Sequence, residues 1–465
     1  MQPTNPSGPS SEAEHDRARR RFLRAGGVAA TIGLAGCAGL GGITDDETDR
    51  SRPKISDEFQ SRYVPHPNDD VSMFRRGLRR LGYFPDEVVP DSVTVDWEFP
   101  LNEAGHTAAK SSPVPTPDGE TIVFAGDTGR VVGMTPDGEQ RWETQTDATD
   151  KGFHGSAAIV DDVVYIGGYD GALYAMNVDD GELRWKTEAS ELDGALAVGS
   201  SPAYYDGTLY FISEFADPFS GALWAIDPET GEPIWQDDRI WGRAHPSPSI
   251  DLQRGRILAG SNDGAVYCWE FPSLEFAWKF QLEANGASQV DGTFNLGSEI
   301  KGSAPLYDGH AYFGSFNGCF YCVDIMDGSE VWSFETDRAI MSNAAVDPDA
   351  GVVYMGSDDG YVYALDPETG DQYWSANVNG RVVGALTVTA ETVLAGSYDS
   401  YLYALDKKTG DRRWRVENRG RVTTSPVPVD GRIYYAERGV FSNYYDDKPT
   451  VFEEPGHAYC LVGDE

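Results

Sequence analysis

Positively charged and imidazole side chains recur in this chain just before the first strand of successive repeats. They belong to Lys110, His154, His245, Lys301, Arg338, Arg381 and Arg421, with Lys151 and Arg243 close by in the sequence. Because the net charge is −38, such a concentration of cations could bind an anion, either the carboxylates of a small cofactor or an acidic peptide. The alternative is that each cation pairs with an acid of the neighbouring repeat and stabilises the fold.

Aromatic side chains in the same connections could contact a partner. They are Trp241, Phe215, Phe294 and Tyr444, accompanied by Phe219, Tyr445 and Phe452. Trp241 is the best single anchor, since tryptophan is enriched at interface hot spots. Local packing of long loops is the alternative interpretation.

The cysteines indicate structural positions. Cys268, Cys322 and Cys460 each follow a tyrosine where other repeats have alanine, as in Tyr363-Ala364, and cysteine serves there as a small apolar side chain. Cys319 and Cys322 could form a metal or redox pair, but residues three apart in a strand point to opposite faces. The sequence therefore predicts no metal site. It also contains no nucleophile triad and no phosphate loop, so no catalytic residue is assigned.

Eight tryptophans at regular spacing predict the elements that position these side chains. They are Trp97, Trp142, Trp185, Trp235, Trp278, Trp332, Trp374 and Trp414, which follow one another at steps of 40 to 54 residues. This period is typical of propeller blades, and each unit contains four strand patterns punctuated by turns such as Asp359-Gly360. We expect these tryptophans to dock blade on blade.

The prediction is an all-β, eight-bladed propeller of four-stranded antiparallel blades over residues 93–465. The eighth unit lacks its own tryptophan strand, so Val93–Phe99 is expected to complete it and close the ring. In such blades the D-to-A and B-to-C connections share one face. Three insertions fall there, namely 214–220, 282–299 and 437–455. This loop-rich face is the predicted site of recognition.

The repeat Ala-x-Asp-x-x-Thr-Gly-x-x-x-Trp resembles a known family. It occurs at Ala225–Trp235, Ala364–Trp374 and Ala404–Trp414. It is similar to the pyrroloquinoline-quinone (PQQ)-type propeller repeat of quinoprotein dehydrogenases and of the BamB-like propeller lipoprotein of the β-barrel assembly machinery. The resemblance covers about residues 72–465 and implies the propeller fold. Because one fold hosts many functions, it does not decide the activity.

Within this resemblance, the enzyme branch implies PQQ on the propeller axis with a divalent cation and a catalytic Asp. This chain has no Cys-Cys pair, and no Asp or cation ligand can be matched to that pattern. No cofactor is therefore expected, and PQQ with Ca²⁺ is the alternative. The preferred function is a non-catalytic binding or scaffold protein with a protein partner on the loop-rich face. The alternatives are a PQQ-dependent dehydrogenase and a lipoprotein that binds or senses a small anion.

The N-terminus is interpreted as an export signal over residues 1–36. Arg19 and Arg20 belong to a stretch that resembles the twin-arginine motif, and Leu34-Ala35-Gly36-Cys37 resembles a lipobox. Lipidation of Cys37 would anchor the protein to the outer face of the cell membrane. Residues 37–70 are predicted to be a polar tether and 71–92 a lead-in segment; the latter resembles the corresponding part of archaeal members of the family.

The acidic composition favours an environment of very high salt, and the alternative is a surface that binds cations or basic partners. The chain has 75 acidic and 37 basic residues, and the acids are spread over all blades. Repulsion among them is screened within roughly 3 Å at 1 M salt. The negative charge also argues against nucleic acid as a partner. The oligomeric state stays open.

Overall fold

A computed structural model describes residues 71–103, 110–216, 219–283, 297–442 and 451–464, together with the backbone of the strands Ser288–Val290 and Thr293–Asn295. The predicted export signal, Cys37, the tether and Tyr444 lie outside the described residues, as does the side chain of Phe294. In the described part of the chain, no helix is long and apolar enough to cross a membrane.

The described chain forms eight four-stranded antiparallel blades, which confirms the predicted fold. Strands A to D of blades 1 to 4 are as follows. In blade 1 they are Val114–Pro115, Ile122–Ala125, Arg130–Met134 and Gln140–Gln145. In blade 2 they are Ala158–Val160, Val163–Gly167, Leu173–Asn177 and Leu183–Thr187. In blade 3 they are Ala203–Tyr205, Thr208–Phe215, Ser220–Ile226 and Pro233–Trp241. In blade 4 they are Ser249–Asp251, Arg256–Gly260, Ala265–Glu270 and Phe276–Gln281.

Blades 5 to 8 repeat the same order. In blade 5 the strands are Leu306–Tyr307, His310–Gly314, Cys319–Asp324 and Glu330–Glu335. In blade 6 they are Ala345–Asp347, Val352–Gly356, Tyr361–Leu365 and Gln372–Asn377. In blade 7 they are Thr387–Thr389, Thr392–Gly396, Tyr401–Asp406 and Arg412–Glu417. In blade 8 strands A to C are Val427–Val429, Arg432–Ala436 and Gly456–Gly463.

The fourth strand of blade 8 comes from the other end of the chain. Val93–Asn102 pairs antiparallel with Gly456–Gly463, with Trp97 opposite Cys460. The predicted closure of the ring is therefore confirmed. Two short hairpins accompany the insertions, Ser288–Val290 with Thr293–Asn295 and Val440–Ser442 with Val451–Glu454. They follow strand D of blade 4 and strand B of blade 8, so both belong to the loop-rich face, called here the upper face.

Most of the blade tryptophans pack against a turn glycine of the next blade, namely Trp97, Trp142, Trp185, Trp278, Trp332 and Trp374. The indole of Trp332 donates a hydrogen bond to the carbonyl oxygen of Pro367, 3.0 Å away, and its ring leaves no room for a Cβ at Gly370. Trp374 makes the same contacts with Lys407 and Gly410. The turn glycines have positive φ, which glycine adopts at little cost. One residue type thus provides both the turn and the flat surface on which the indole packs.

Strand pairing places three cysteines opposite blade tryptophans. Cys268 pairs with Trp278, Cys322 with Trp332 and Cys460 with Trp97. In other blades alanine takes this place, as where Ala364 pairs with Trp374. All three cysteines are free and buried. A small side chain is required there because the indole covers it.

The lead-in segment lies inside the channel and against the innermost strands. Val71–Met73 pairs antiparallel with strand A of blade 2, and Tyr83–Phe84 pairs parallel with strand A of blade 7. A 3₁₀ turn, Phe74–Arg76, begins the stretch that joins them. The segment therefore rises from the lower face, turns, and descends before it becomes the outer strand of blade 8. A second 3₁₀ turn, Ala189–Leu192, lies between blades 2 and 3.

Between these two pairings the segment follows the inner wall. Its carbonyl oxygens accept hydrogen bonds from one strand-A amide in each of blades 4 to 7. The donors are the amides of Ile250, Leu306, Val346 and Val388. The lead-in segment is thus part of the core that closes the channel from below.

Candidate functional site

A cavity of about 460 Å³ opens on the upper face at the mouth of the channel. We call it the cup. Its wall is built by the residues that precede strand A and by the first residues of the B-to-C turns, and its floor includes Phe74. Because the blades share one register, side chains at equivalent positions form successive levels around the axis.

The lowest level of the wall is a ring of small polar side chains, called here the serine ring. The eight positions are Ser112, Ser156, Ser201, Ser247, Ser303, Asn343, Ala385 and Ser425. Where a serine is followed by another serine in the next blade, its backbone amide donates to the Oγ of that serine at 2.7–2.8 Å. These bonds run from Ser425 to Ser112 and then from blade to blade as far as Ser303. The Ser303 amide continues the ring by donating to the Asn343 side chain. These bonds add to the apolar packing and to the tryptophan hydrogen bonds that join neighbouring blades.

The ring is interrupted at blade 7, where Ala385 has no hydroxyl. There the Leu386 amide donates to the Asn343 carbonyl at 3.1 Å, and Thr387 Oγ1 lies 3.1 Å from Ser425 Oγ. Different atoms therefore make the connection between blades 6, 7 and 8.

The middle level of the wall lies two residues earlier in each blade. Its members are Lys110, His154, Gly199, His245, Lys301, Met341, Val383 and Thr423. An upper level comes from the B-to-C turns and includes Tyr169, Asn262, Tyr398 and Arg438, joined by Arg243, Arg381 and Lys151. The lining is thus rich in cations although the whole protein is strongly acidic.

Two guanidinium groups lie beneath the floor, and neither has a carboxylate partner among the residues that the structure describes. Arg75 donates to the carbonyl oxygens of Arg80, Leu386, Leu81 and Ala344. Arg80 donates to the carbonyl oxygens of Pro248, Phe74, Ser201 and Pro202 at 2.9–3.3 Å. Burial lowers the pKa of each to about 9, so both are charged at neutral pH. Their charges add to the positive potential below the cup.

On the side of blades 6 to 8, three guanidinium groups surround one aromatic ring. Arg381, Arg421 and Arg438 lie 4.9–5.0 Å from the ring centroid of Tyr398, a cation–π distance. Asp358 accepts a hydrogen bond from Arg381 at 2.5 Å. Burial lowers the pKa of nearby Lys110 to about 7, helped by the charges of Arg438 and Lys301.

On the side of blades 2 to 5, acids and imidazoles are interleaved. Glu214 lies 2.9 Å from Nδ1 of His245, and the hydroxyl of Tyr169 lies 3.1 Å from the same nitrogen. Burial raises the pKa of Glu214, but His245, Arg243 and Lys301 outweigh it and hold that pKa below its usual value. Burial and Glu214 raise the pKa of Tyr169 well above its usual value. Glu214 is thus an anion and Tyr169 a neutral phenol that donates.

The structure places most of the predicted cations around the cup. Lys110, His154, His245, Lys301 and Arg381 line it. Arg421 contacts the lining through Tyr398, whereas Arg338 is exposed and is not among the lining residues. The five lining residues lie two or four positions before the serine ring, whereas Arg338 lies five positions before Asn343. That these residues bind a ligand stays a prediction.

The aromatic candidates lie in different surroundings. Trp241 is 40% exposed and Phe219 is 38% exposed, with Arg243 4.9 Å from the Phe219 ring centroid. Phe215 packs against the core between blades 2 and 3. Trp241 and Phe219 therefore offer an apolar surface beside the cup, and Phe215 supports it from within.

The sequence interpretation did not identify Phe74, Tyr169, Tyr398 or Arg438 as part of the site. The last three begin B-to-C turns, where other blades have residues such as Asp358. The sequence signal that could have identified these three residues is their variability between blades at the position that begins the B-to-C turn. Phe74 had no such signal, because nothing in a repeat predicts that a preceding segment enters the channel.

The comparisons with known proteins agree with the fold. The family model of the outer membrane protein assembly factor BamB matches residues 90–334 and 317–440. The BamB protein of Yersinia pestis is 25% identical over 232 residues, which are 46% of this chain and 54% of that protein. The chain thus covers about half the length of this curated relative.

Two solved structures share the architecture. BamB from Moraxella catarrhalis superposes with a TM-score of 0.58 at 18% identity, over 79% of this chain and 99% of that chain. Quinohemoprotein alcohol dehydrogenase from Comamonas testosteroni superposes with a TM-score of 0.65 at 15% identity, over 88% and 82%. At these identities the likeness shows the fold alone.

The cup can be tested for its fit to PQQ with a divalent cation. Its ammonium and guanidinium groups suit the carboxylates of the quinone. A hard divalent cation needs several oxygen ligands. The described residues contain no group of three or more His, Cys, Asp or Glu side chains that could hold a metal ion. They therefore fit the anionic part of the cofactor and not its cation, and no reaction step is derived through it.

Proposed function

Since the chain belongs to the family of the outer membrane protein assembly factor BamB, we propose that it is a non-catalytic binding protein that acts through its upper face. The observation that carries the proposal is the cup, a cavity lined by cations in a protein of net charge −38. Such a site favours an acidic group, because it concentrates positive charge in a protein whose overall charge is strongly negative.

The geometry supports binding rather than turnover. Glu214 and Tyr169 are held in the carboxylate and phenol forms, so the first supplies a fixed negative charge and the second a hydrogen-bond donor. The serine hydroxyl oxygens accept hydrogen bonds from backbone amides, so their partners within the serine ring are amides and not a base. An activated nucleophile requires such a base. Trp241 and Phe219 would extend the contact to a protein partner.

The proposed location is the outer face of the cell membrane. The support is the order of the twin-arginine stretch, the short apolar segment and Cys37 in the sequence. Replacing Cys37 by Ser should release the full chain from the membrane fraction into the medium. Retention of the Cys37→Ser variant in that fraction would contradict the anchor.

The binding role is tested by recovery of partners from detergent-solubilised membranes of the source cells with immobilised full-length protein. The cup variant is Lys110→Glu with Lys301→Glu, and the matched control is Lys408→Glu, an exposed lysine in a C-to-D turn on the lower face. We expect the native chain and the control to retain the same membrane protein and the cup variant to lose it. Equal recovery by all three would overturn the role of the cup.

The same preparation tests the dehydrogenase alternative, which the cationic lining favours. Native chain is incubated with PQQ and Ca²⁺, and the absorption of the quinone and the reduction of a dye by alcohols are recorded. Dye reduction that depends on both additives would replace the binding role with catalysis.

A further inference from the structure

Two lysines face each other across the cup. Lys110 belongs to blade 1 and Lys301 to blade 5, both at the middle level of the wall. In a ring of eight blades, the first and the fifth are opposite. The charge of Lys301 also contributes to the low pKa of Lys110.

Neither ammonium has an ion-pair partner in the part of the chain that the structure describes. The carboxylate whose charge acts on Lys110 belongs to Asp358. It already accepts a hydrogen bond from Arg381 at 2.5 Å. Near Lys301, Glu214 lies 2.9 Å from Nδ1 of His245, while the buried side-chain carboxylate of Glu299 has no hydrogen-bond partner among the described residues. The Nζ of Lys301 lies 4.8 Å from the ring centroid of Phe316. Two like charges kept in one cavity are stabilised when an anion lies between them.

The serine ring supplies neutral donors just below the lysines. The Oγ atoms of Ser112, Ser156, Ser201, Ser247 and Ser303 each accept a backbone amide. Once an oxygen is used in this way, its O–H remains as a donor. A ring of hydroxyl donors under two ammonium groups is complementary to oxyanions, which only accept.

We infer that the cup binds a small molecule with an acidic oxyanion group at each end, one on Lys110 and the other on Lys301. The inference rests on the proposed binding role of the cup and names the ligand class. A single small anion would not fill about 460 Å³, whereas pockets of this size suit small organic ligands. The middle of the molecule lies over the Phe74 floor, beside the serine hydroxyls. The end groups can be carboxylates or phosphoryl groups.

The experiment is calorimetric titration of the full-length protein, without divalent cations, with acetate, succinate, glutarate, adipate, phosphate and glycerol 1,3-bisphosphate. The variants are Lys110→Met and Lys301→Met, and Lys408→Met is the matched control. We expect one chain length of diacid to bind at least about 10-fold more tightly than acetate. In each cup variant the affinity for that diacid should fall to within about 3-fold of the affinity for acetate. In the control variant the affinity for the diacid should stay unchanged. A preference for the bisphosphate over the dicarboxylates identifies phosphoryl ends, and the reverse order identifies carboxylates.

Folding is checked by the thermal transition and tryptophan fluorescence of every variant, and Lys110→Arg, which keeps the charge, replaces Lys110→Met if that variant does not fold. It should keep the preference for diacid over acetate. Equal affinity for acetate and diacid, or native diacid affinity in both methionine variants, would overturn the inference and leave the binding role intact. Failure of every anion to bind the native chain would overturn the inference alone if a membrane partner is still recovered, and both proposals if it is not.

Discussion

Substitution of Arg80 by Met should release the lead-in segment while the blades stay folded. The Arg80 guanidinium donates four hydrogen bonds to carbonyl oxygens, three of them in residues just before or at the start of strand A in blades 3 and 4. Methionine fills much of the same space but donates none. The four acceptors then remain buried without a donor.

The expected magnitude follows from two opposing effects. An orphaned buried acceptor costs about 1–3 kcal/mol, so four cost roughly 8 kcal/mol. Removing the buried charge, whose pKa burial lowers to about 9, returns at most about 5 kcal/mol. The net effect is a loss of about 2–4 kcal/mol in the free energy that holds the segment in the channel. This loss corresponds to an equilibrium constant for release of the segment that is about 30- to 1,000-fold larger.

The assay is native-state amide hydrogen exchange. The amides of Ile250, Leu306, Val346 and Val388 donate to carbonyls of the lead-in segment, so their exchange should accelerate together by that factor. Arg412→Met, at an exposed arginine on the outer strand of blade 7, is the matched control and should change none of them. Unchanged protection of the four amides in Arg80→Met would refute the reasoning, as would equal loss of protection in every outer strand.

Four further outcomes are expected. Anion affinity should fall between pH 6 and 8.5, because Lys110 has a pKa of about 7 and loses its charge as the pH rises; the charged groups that act on it are Arg438, Lys301, Asp358 and Arg381. A flat calorimetric pH profile would contradict this. Trp332→Phe should lower the denaturant-derived free energy of unfolding by about 1–3 kcal/mol, because the indole bond to Pro367 is lost; the exposed Trp241→Phe is the control, and equal effects would argue against blade docking. Burial raises the pKa of the thiols of Cys268, Cys322 and Cys460, so a disulfide reagent should modify these thiols only after denaturation. Dilution from 1 M to 0.1 M salt should lower the melting temperature, since the Debye length grows from about 3 to 10 Å; a constant value would count against adaptation to high salt.

The blades could be predicted because their signals are local and repeated. Strand C of blade 6, Tyr361–Leu365, directly follows the Asp359-Gly360 turn that marks its hairpin in the sequence. The closure of blade 8 was predictable as well, since a unit without its tryptophan implies a missing strand. Periodic patterns and turn residues thus determine the sheet topology.

The site was predictable only in part. The cations before strand A have a sequence signal, because their position is counted from the repeat. Arg75 and Arg80 have none, since a basic residue in a segment outside the repeat reads as solvent-exposed. The bonds of the serine ring also connect one blade to the next, for instance Ser156 to Ser201, and such long-range contacts are not visible in a single repeat.

The seam of blade 8 has a consequence for how the molecule folds. Because residue 97 pairs with residue 460, the contacts that close the ring join residues more than 350 positions apart and carry a large loop-closure entropy. Ring closure is therefore expected late in folding, with blades 1 and 7 presenting uncovered surfaces until then. Self-association of partly folded chains would begin at those two surfaces.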